Sequence, residues 1–440
     1  MMKRNIYKTL KNWKREANHR PLLVRGARQT GKTFIINTFG NKEFQFFVTI
    51  NFERNPEFKD IFTTYNPREI IERIALYTGK SVIPARTLLF FDEIQECPKA
   101  IMALRYFYEE MPELHVIGAG SLLEFALKTE DFRMPVGRVQ YLYMYPLSFG
   151  EFMNAIGEGQ LYNHILNFSN ISRLPAGLHN KLIELVRKYF ILGGMPAVLN
   201  EYVQSHDVLK CQQIQNLINE TYIDDFSKYA RDSKFKYLKK VFSAVPSMIG
   251  QKFIYSKVDK TVKSRDFKEA FNLLETAGVI YRIARTSGAG LPLEAGVKEN
   301  FFKPMFLDVG LMHAINGIYN ESVRGKNLTS IFKGMVAEQF VGQELIATQS
   351  PFLKPKLYYW AREAKNSNAE IDYLIEKKSE IIPIEVKSGS SGKMKSMNMF
   401  LEAYGTENGI KVSQAKLIEG QALTSLPLYA IESYIALKNK

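Results

Sequence analysis

The octapeptide GARQTGKT, Gly26 to Thr33, restricts the fold of this chain more than any other stretch. It satisfies G-x-x-x-x-G-K-[ST] in full and stands between a short apolar run, PLLVR at residues 21–25, and a helical pattern running through FIINTF. A buried strand, a tight loop and a helix start in that order turn backbone N–H groups inward around phosphate oxygens, and the helix terminus adds partial positive charge. Gly26, Ala27, Arg28, Gln29, Thr30, Gly31, Lys32 and Thr33 are therefore read as nucleotide-binding residues. In that motif the lysine, here Lys32, reaches the β- and γ-phosphates, and the hydroxyl of Thr33 meets magnesium. The matching acidic stretch is TLLFFDEIQE, an apolar strand that delivers Asp92 to the magnesium shell and Glu93 to the attacking water as general base. ATP and Mg2+ are the expected cofactors, with ATP hydrolysis as the reaction. The loop does not read the base, but no N-K-x-D guanine-reading sequence accompanies it.

Further apolar runs at Phe44–Phe52, Thr87–Phe91, Leu114–Gly120 and Val139–Leu147 alternate with helix-length stretches, a pattern that predicts an α/β fold with a parallel sheet flanked by helices. At 440 residues the chain exceeds one ordinary core, so two to four domains are expected. From Phe149 to about Val241 the pattern is largely helical, broken by the GGMP turn at Gly193–Pro196. From there to Met312, short helices lead into VIYRIAR and the turn SGAGLP, which resembles a winged helix-turn-helix. Lys333 to Leu345 reads as a helix, followed by strands at LYYWAR, IDYLIE, IIPIEVK and a late AKLIEG. No run approaches the roughly 18 uninterrupted apolar residues of a spanning helix, and the basic start lacks an apolar segment behind it. A cytoplasmic protein without a membrane partner is expected. Cys97 and Cys211 supply neither a disulfide framework nor a zinc quartet, so any metal must sit on oxygen ligands.

Charge is unevenly placed. Of a formal net charge of +14, a local excess of nine lies between Lys228 and Lys268, where twelve Lys or Arg face three Asp. Such a concentration is the footprint of a nucleic-acid surface or, more plainly, of a solvated helix face. A helix starting near Ser264 and entering a major groove would bring Lys263, Arg265 and Lys268 to DNA first.

The stretch Glu370–Lys387, EIDYLIEKKSEIIPIEVK, holds two alternating runs split by Lys377–Glu380 and reads as an antiparallel hairpin. Pairing Glu376 with Ile381 places Asp372 opposite Glu385, with Lys387 on the same face by the period of two. That convergence suits either a metal-dependent centre or charges on a wet sheet face.

Taken together, RGARQTGKT, LLFFDEIQE, the strand leading to Gly120 and Ser121, VGR at residues 136–138, YPLSFGEF at Tyr145–Phe152 and GGMP resemble a group of prokaryotic AAA-type ATPases. Members of that group carry a C-terminal domain of unknown function with a restriction-endonuclease-like signature. The resemblance implies that Ser121 is the polar sensor after the fourth strand and that Arg138 is a sensor or finger on the γ-phosphate. Acting in trans, Arg138 would require a homo-oligomer. The likeness extends to KGMVAEQFVGQEL, carrying Glu338, and to the D-x12-E-x-K spacing of Asp372, Glu385 and Lys387, which resembles the PD-(D/E)XK nuclease fold. It implies Asp372 and Glu385 as ligands for magnesium, Glu338 as an added ligand, and Lys387 orienting the attacking water. Three parts follow: an ATPase domain over residues 1–155, a helical lid and winged-helix-like region over 156–320, and a nuclease-like domain over 321–440. Two functions fit, an ATPase acting on or near DNA and a nucleotide-dependent switch whose nuclease-like domain is a catalytically silent platform for a partner.

Overall fold

The computed structural model describes residues 2–121, 123, 137–228, 232–317, 330–363, 369–389 and 394–437. The chain divides into two compact units, one built from residues 3–145 and 350–354 and the other mainly from 146–349 and 355–440.

The first unit is a five-stranded sheet whose strands are β1 (Leu22–Arg25), β2 (Phe46–Asn51), β3 (Thr87–Asp92), β4 (His115–Ala119) and β5 (Gln140–Tyr143). Their order is β2-β3-β4-β1-β5, and every pairing is parallel, as the alternation of runs and helices predicts. Successive residues pack on opposite faces. Leu23, Leu89, Phe91 and Val116 enter one apolar cluster, while Leu22, Val24, Leu88, Phe90 and Ile117 enter another on the far side. Burial of both faces explains why these strands read as continuous apolar runs rather than as alternation.

The second unit contains a mixed eight-stranded sheet formed by β6 (Ile280–Thr286), β7 (Val297–Phe306), β8 (Leu357–Ala361), β9 (Glu370–Lys377), β10 (Glu380–Val386), β11 (Gly409–Ser413), β12 (Ile418–Glu419) and β13 (Leu423–Pro427). Its order is β12-β13-β11-β10-β9-β8-β6-β7. β6 and β7, the strands of the winged-helix-like stretch, belong to this sheet, since β6 pairs in parallel with β8. The sheet therefore runs across the division expected at residue 320, and the contact boundary falls at 145/146 rather than after 155. The late strand expected at AKLIEG shrinks to Ile418–Glu419, while β11 and β13 beside it carried no strong alternation. The hairpin β9–β10 has the expected register, Glu376 opposite Ile381 and onward to Tyr373 opposite Ile384. Lys378 and Ser379 close it with φ of 48° and 63°, the doubly left-handed turn whose twist matches that of the strands. Among the described residues no helix is long and apolar enough to cross a membrane.

A buried polar network organises this unit. Asp308 is fully buried and accepts the N–H groups of Gly194 at 2.7 Å, Gly310 at 2.9 Å and Leu311 at 3.0 Å, and the Gln343 side-chain amide at 3.3 Å. It thus caps the helix Val309–Ile315 and holds the GGMP turn in one carboxylate. Both glycines of that turn are required. A Cβ on Gly193, whose φ is 70°, would lie 2.0 Å from Asp308 Oδ1, and one on Gly194 would lie 2.1 Å from the Leu147 carbonyl oxygen.

Replacing Asp308 by Ala strands three buried N–H groups, and the expected loss of unfolding free energy is about 3–5 kcal/mol, against a smaller loss for Asp308→Asn. Denaturant unfolding of both variants checks this; equal, small losses would contradict it.

Candidate functional site

The phosphate loop leaves β1 at the carboxyl end of the parallel sheet, where ligands of such sheets bind. Gly26 has φ of 145°, Gln29 61° and Gly31 93°, so the loop curls through left-handed conformations before the helix Lys32–Glu43 begins. A side chain at Gly26 is excluded because its Cβ would lie 2.1 Å from the Met144 carbonyl oxygen. Arg4, far off in sequence, donates to the Thr30 carbonyl at 3.0 Å and the Tyr145 carbonyl at 2.6 Å, fastening the loop from outside. Lys32 is buried, with Nζ 2.9 Å from both the Gly26 and Ala27 carbonyl oxygens. Burial lowers its pKa to about 8, partly opposed by Glu93 and Asp92.

The ends of neighbouring strands complete the site. Register sets Asn51, Asp92 and Ala119 side by side at the tips of β2, β3 and β4. Thr33 Oγ1 donates to Asp92 at 3.0 Å, and the Asn51 side-chain amide donates to the other oxygen at 3.0 Å. Burial, then Glu93, raises the Asp92 pKa, while these donors oppose the rise. Glu93 has φ of 49°, an uncommon conformation for a non-glycine residue and one found at functional sites. Its carboxylate accepts the Gln95 side-chain amide at 2.7 Å, and Gln95 occupies the space over Gly120, where a Cβ would lie 2.0 Å from its Oε1. Ser121 stands two residues beyond β4 and accepts from Arg28 Nε of the loop at 3.2 Å. Asn51 and Arg4 escaped sequence reasoning, for they lie outside the motifs, and Gln95 was given no role although it stands within TLLFFDEIQE. A polar residue ending the apolar strand β2 was the one available signal.

The oxygen donors of Thr33 and Asp92 fit magnesium, which keeps waters and draws its remaining ligands from phosphate. Arg138 is elsewhere. It precedes β5, whose Gln140 is paired with Leu22, so the four residues of β1, roughly 13 Å at the usual rise, separate that level from the loop. There it binds Glu109 at 2.7 Å. Strand direction thus corrects the expected role as a sensor on the γ-phosphate of its own chain. Val136 of the VGR stretch lies outside the described residues.

The acidic hairpin also departs from expectation. Asp372 follows in register from the Tyr373–Ile384 pair and turns one oxygen onto the Val386 N–H at 2.7 Å. Its other oxygen lies 3.4 Å from the ammonium of Lys303, a fully buried residue of β7 that also meets Glu338 at 3.6 Å and Glu370 in close contact. Burial alone would lower the Lys303 pKa, but Glu338, Asp372 and Glu370 hold it well above the ordinary lysine value. Burial and then Asp372 raise the pKa values of both Glu338 and Glu385. Lys387 Nζ sits 2.5 Å from Glu385 Oε1. The expectation of Glu338, Asp372 and Glu385 as a metal cradle does not fit. Among the described residues no group of three His, Cys, Asp or Glu is arranged to hold a metal ion, and Lys303 stands among the acids.

The basic segment runs through the helices Asp232–Ala244, Tyr255–Val258 and Ser264–Thr276 and the turns between them. Lys234, Lys236, Lys239, Lys240, Lys252, Lys257, Lys260, Lys263, Arg265 and Lys268 are all exposed. Lys234 pairs with Glu269, and Lys240 with Asp259 at 2.5 Å. The helix Ser264–Thr276 starts where the sequence predicts, burying Phe267, Ala270, Phe271 and Leu274. Arg231 and the side chain of Lys228 lie outside the described residues.

Comparison with known proteins agrees with the first unit. Residues 18–153 match a family model described as an AAA domain. Residues 183–322 and 333–429 match two domains of unknown function, DUF8612 and DUF4143. No curated protein matches. Similar solved structures include the Walker-type ATPase PABY2304 of Pyrococcus abyssi, 15% identical over 72% of this chain and 96% of its own, with a TM-score of 0.45. The ORC2 protein of Aeropyrum pernix, in ADPNP–ADP complexes, is 10% identical over 73% and 96%, with a TM-score of 0.36. The RuvB Holliday junction branch migration motor of Thermotoga maritima is 18% identical over 63% and 88%, with a TM-score of 0.27. The matched AAA domain carries the loop and Asp92–Glu93 at the tips of a parallel sheet, and the chain is a P-loop ATPase.

ATP phosphates favour charged Lys32, so binding takes up a proton wherever the free lysine is neutral. ATP affinity should therefore hold below about pH 8 and fall by up to about tenfold per unit above it. Lys32→Arg should flatten that dependence. Calorimetric titration from about pH 7 to about pH 9.5 checks this, and a constant Kd for the unmodified protein would contradict it.

Proposed function

We propose that this ATPase acts on or near DNA, with ATP and Mg2+ at the phosphate loop and a C-terminal domain of nuclease-like fold. The observation that carries the reading is the exposure of all ten described cations of the basic segment. A surface so charged gains affinity for a phosphate backbone through counterion release, whereas a merely solvated helix face needs no such excess. In the ATPase site Lys32 and the loop N–H groups hold the phosphates. Thr33 and Asp92 hold magnesium, which shields phosphate charge when bound. Glu93, released from Gln95, takes the proton of the attacking water, and Ser121 senses the terminal phosphate. Arg138 serves a neighbouring copy in a homo-oligomer in the cytoplasm.

A second reading is favoured by one observation, the buried ammonium of Lys303 among Glu338, Glu370 and Asp372. On it the nuclease-like domain is a catalytically silent platform that docks a partner. The two readings share the ATPase and differ in what the second unit does.

Glu93→Gln should bind ATP while hydrolysis falls by about two orders of magnitude or more, and Lys32→Ala should lose both. Reversing Lys263, Arg265 and Lys268 to Glu should weaken duplex DNA binding and reduce its log–log salt slope by about three. Fluorescence anisotropy across a salt series measures that slope. Unchanged DNA affinity in the triple variant would sink the DNA reading and leave the ATPase untouched.

A further inference from the structure

The acidic pocket of the second unit draws residues from four places: Glu338 on the helix Ser330–Ala347, Glu370 and Asp372 on β9, Glu385 on β10 and Lys303 on β7. β6 and β8 lie between β7 and β9 in the sheet, so the lysine side chain reaches over two strands, passing 5.3 Å from the ring of Tyr359. Its backbone is held in the ladder opposite Ile283. Nothing in the ATPase site uses it.

We propose that Lys303 is a built-in counter-ion, occupying within this pocket the place a divalent cation would hold, so that the pocket is charge-balanced without metal. This rests on the silent-platform reading and deepens it. An ammonium has three donors and no acceptor, and Lys303 directs Nζ at three carboxylates, Glu338, Glu370 and Asp372, with no exposure to water. A buried ammonium persists only when so paired. Two of the other acid oxygens are committed elsewhere. Asp372 Oδ2 accepts the Val386 N–H at 2.7 Å, and Glu385 Oε1 meets Lys387 Nζ at 2.5 Å. Glu385 Oε2 is left buried without a hydrogen-bond partner. A divalent ion among Glu338, Glu370 and Asp372 would have to displace an ammonium that the strand holds in place.

The test is titration of the full, nucleotide-free chain with Mn2+ followed by electron paramagnetic resonance, alongside thermal unfolding. The unmodified protein should show no Mn2+ binding that Asp372→Asn removes. Lys303→Met should gain one saturable Mn2+ site, lost again in Lys303→Met/Asp372→Asn, and its Tm should rise when Mn2+ is added. An Asp372-dependent Mn2+ site in the unmodified protein overturns the proposal, as does a Lys303→Met protein that keeps the original Tm and binds no Mn2+. Should Lys303→Met fail to fold in either buffer, Lys303→Met/Glu370→Gln, with one negative charge fewer, decides. Recovery of folding supports the counter-ion role, and no recovery overturns it. The silent-platform reading fails separately if the unmodified protein cleaves DNA while binding no Mn2+ through Asp372.

Discussion

The second unit depends on a few buried polar groups of the helix Ser330–Ala347 and the carboxylate of Asp308. Gln339 both donates to and accepts from the backbone of Phe306, at 2.8 Å and 2.9 Å. Gln343 accepts the Val309 N–H at 3.1 Å and donates to the Tyr189 hydroxyl at 2.7 Å, and Glu344 accepts the Phe149 N–H at 2.8 Å. A long apolar helix packed against strands and helices can slide or rotate at little cost, because apolar contacts are not directional. Buried hydrogen bonds remove that freedom, since each lost partner leaves a desolvated group. The YPLSFGEF and GGMP stretches, which carry much of the family likeness, end in this network. Their role here is to give backbone groups to it.

The ATPase site is built by a different rule. The candidate residues lie at or just beyond the carboxyl ends of parallel strands, so strand register rather than a fitted cavity brings Thr33, Asn51, Asp92 and Ser121 together. The loop supplies its own geometry through Gly26 and Gly31. Its rigidity is borrowed, from Arg4 on two carbonyls and from Arg28 on Ser121. Gln95 holds the carboxylate of Glu93, so the group expected to meet water is oriented by a neighbour two residues on.

Much of this was legible in the chain. Phosphate-loop chemistry is local, as is the pairing of an apolar strand with Asp92 and Glu93, so both could be read from motif and context. The hairpin register was equally accessible, because Glu376 opposite Ile381 follows from a two-residue turn and a period of two. Arg138 was harder. Its place depends on which end of β5 it occupies, and strand direction in the sheet puts it on Glu109 instead of near the loop.

By itself the sequence determined the parallel sheet, the nucleotide loop, the acidic pair beside it and the facing of Asp372 toward Glu385, since each arises from residues close in the chain or from strict periodicity. Only the tertiary structure decided the surroundings of that acidic hairpin. Lys303 lies 69 residues before Asp372 and 35 before Glu338, and it meets them because β6 and β7 join the same sheet as β9. No period or motif links residues so far apart. Their meeting is set by strand order and by the need of a buried charge for opposite charges, which turns a sequence that suggests a metal cradle into an ion-paired core.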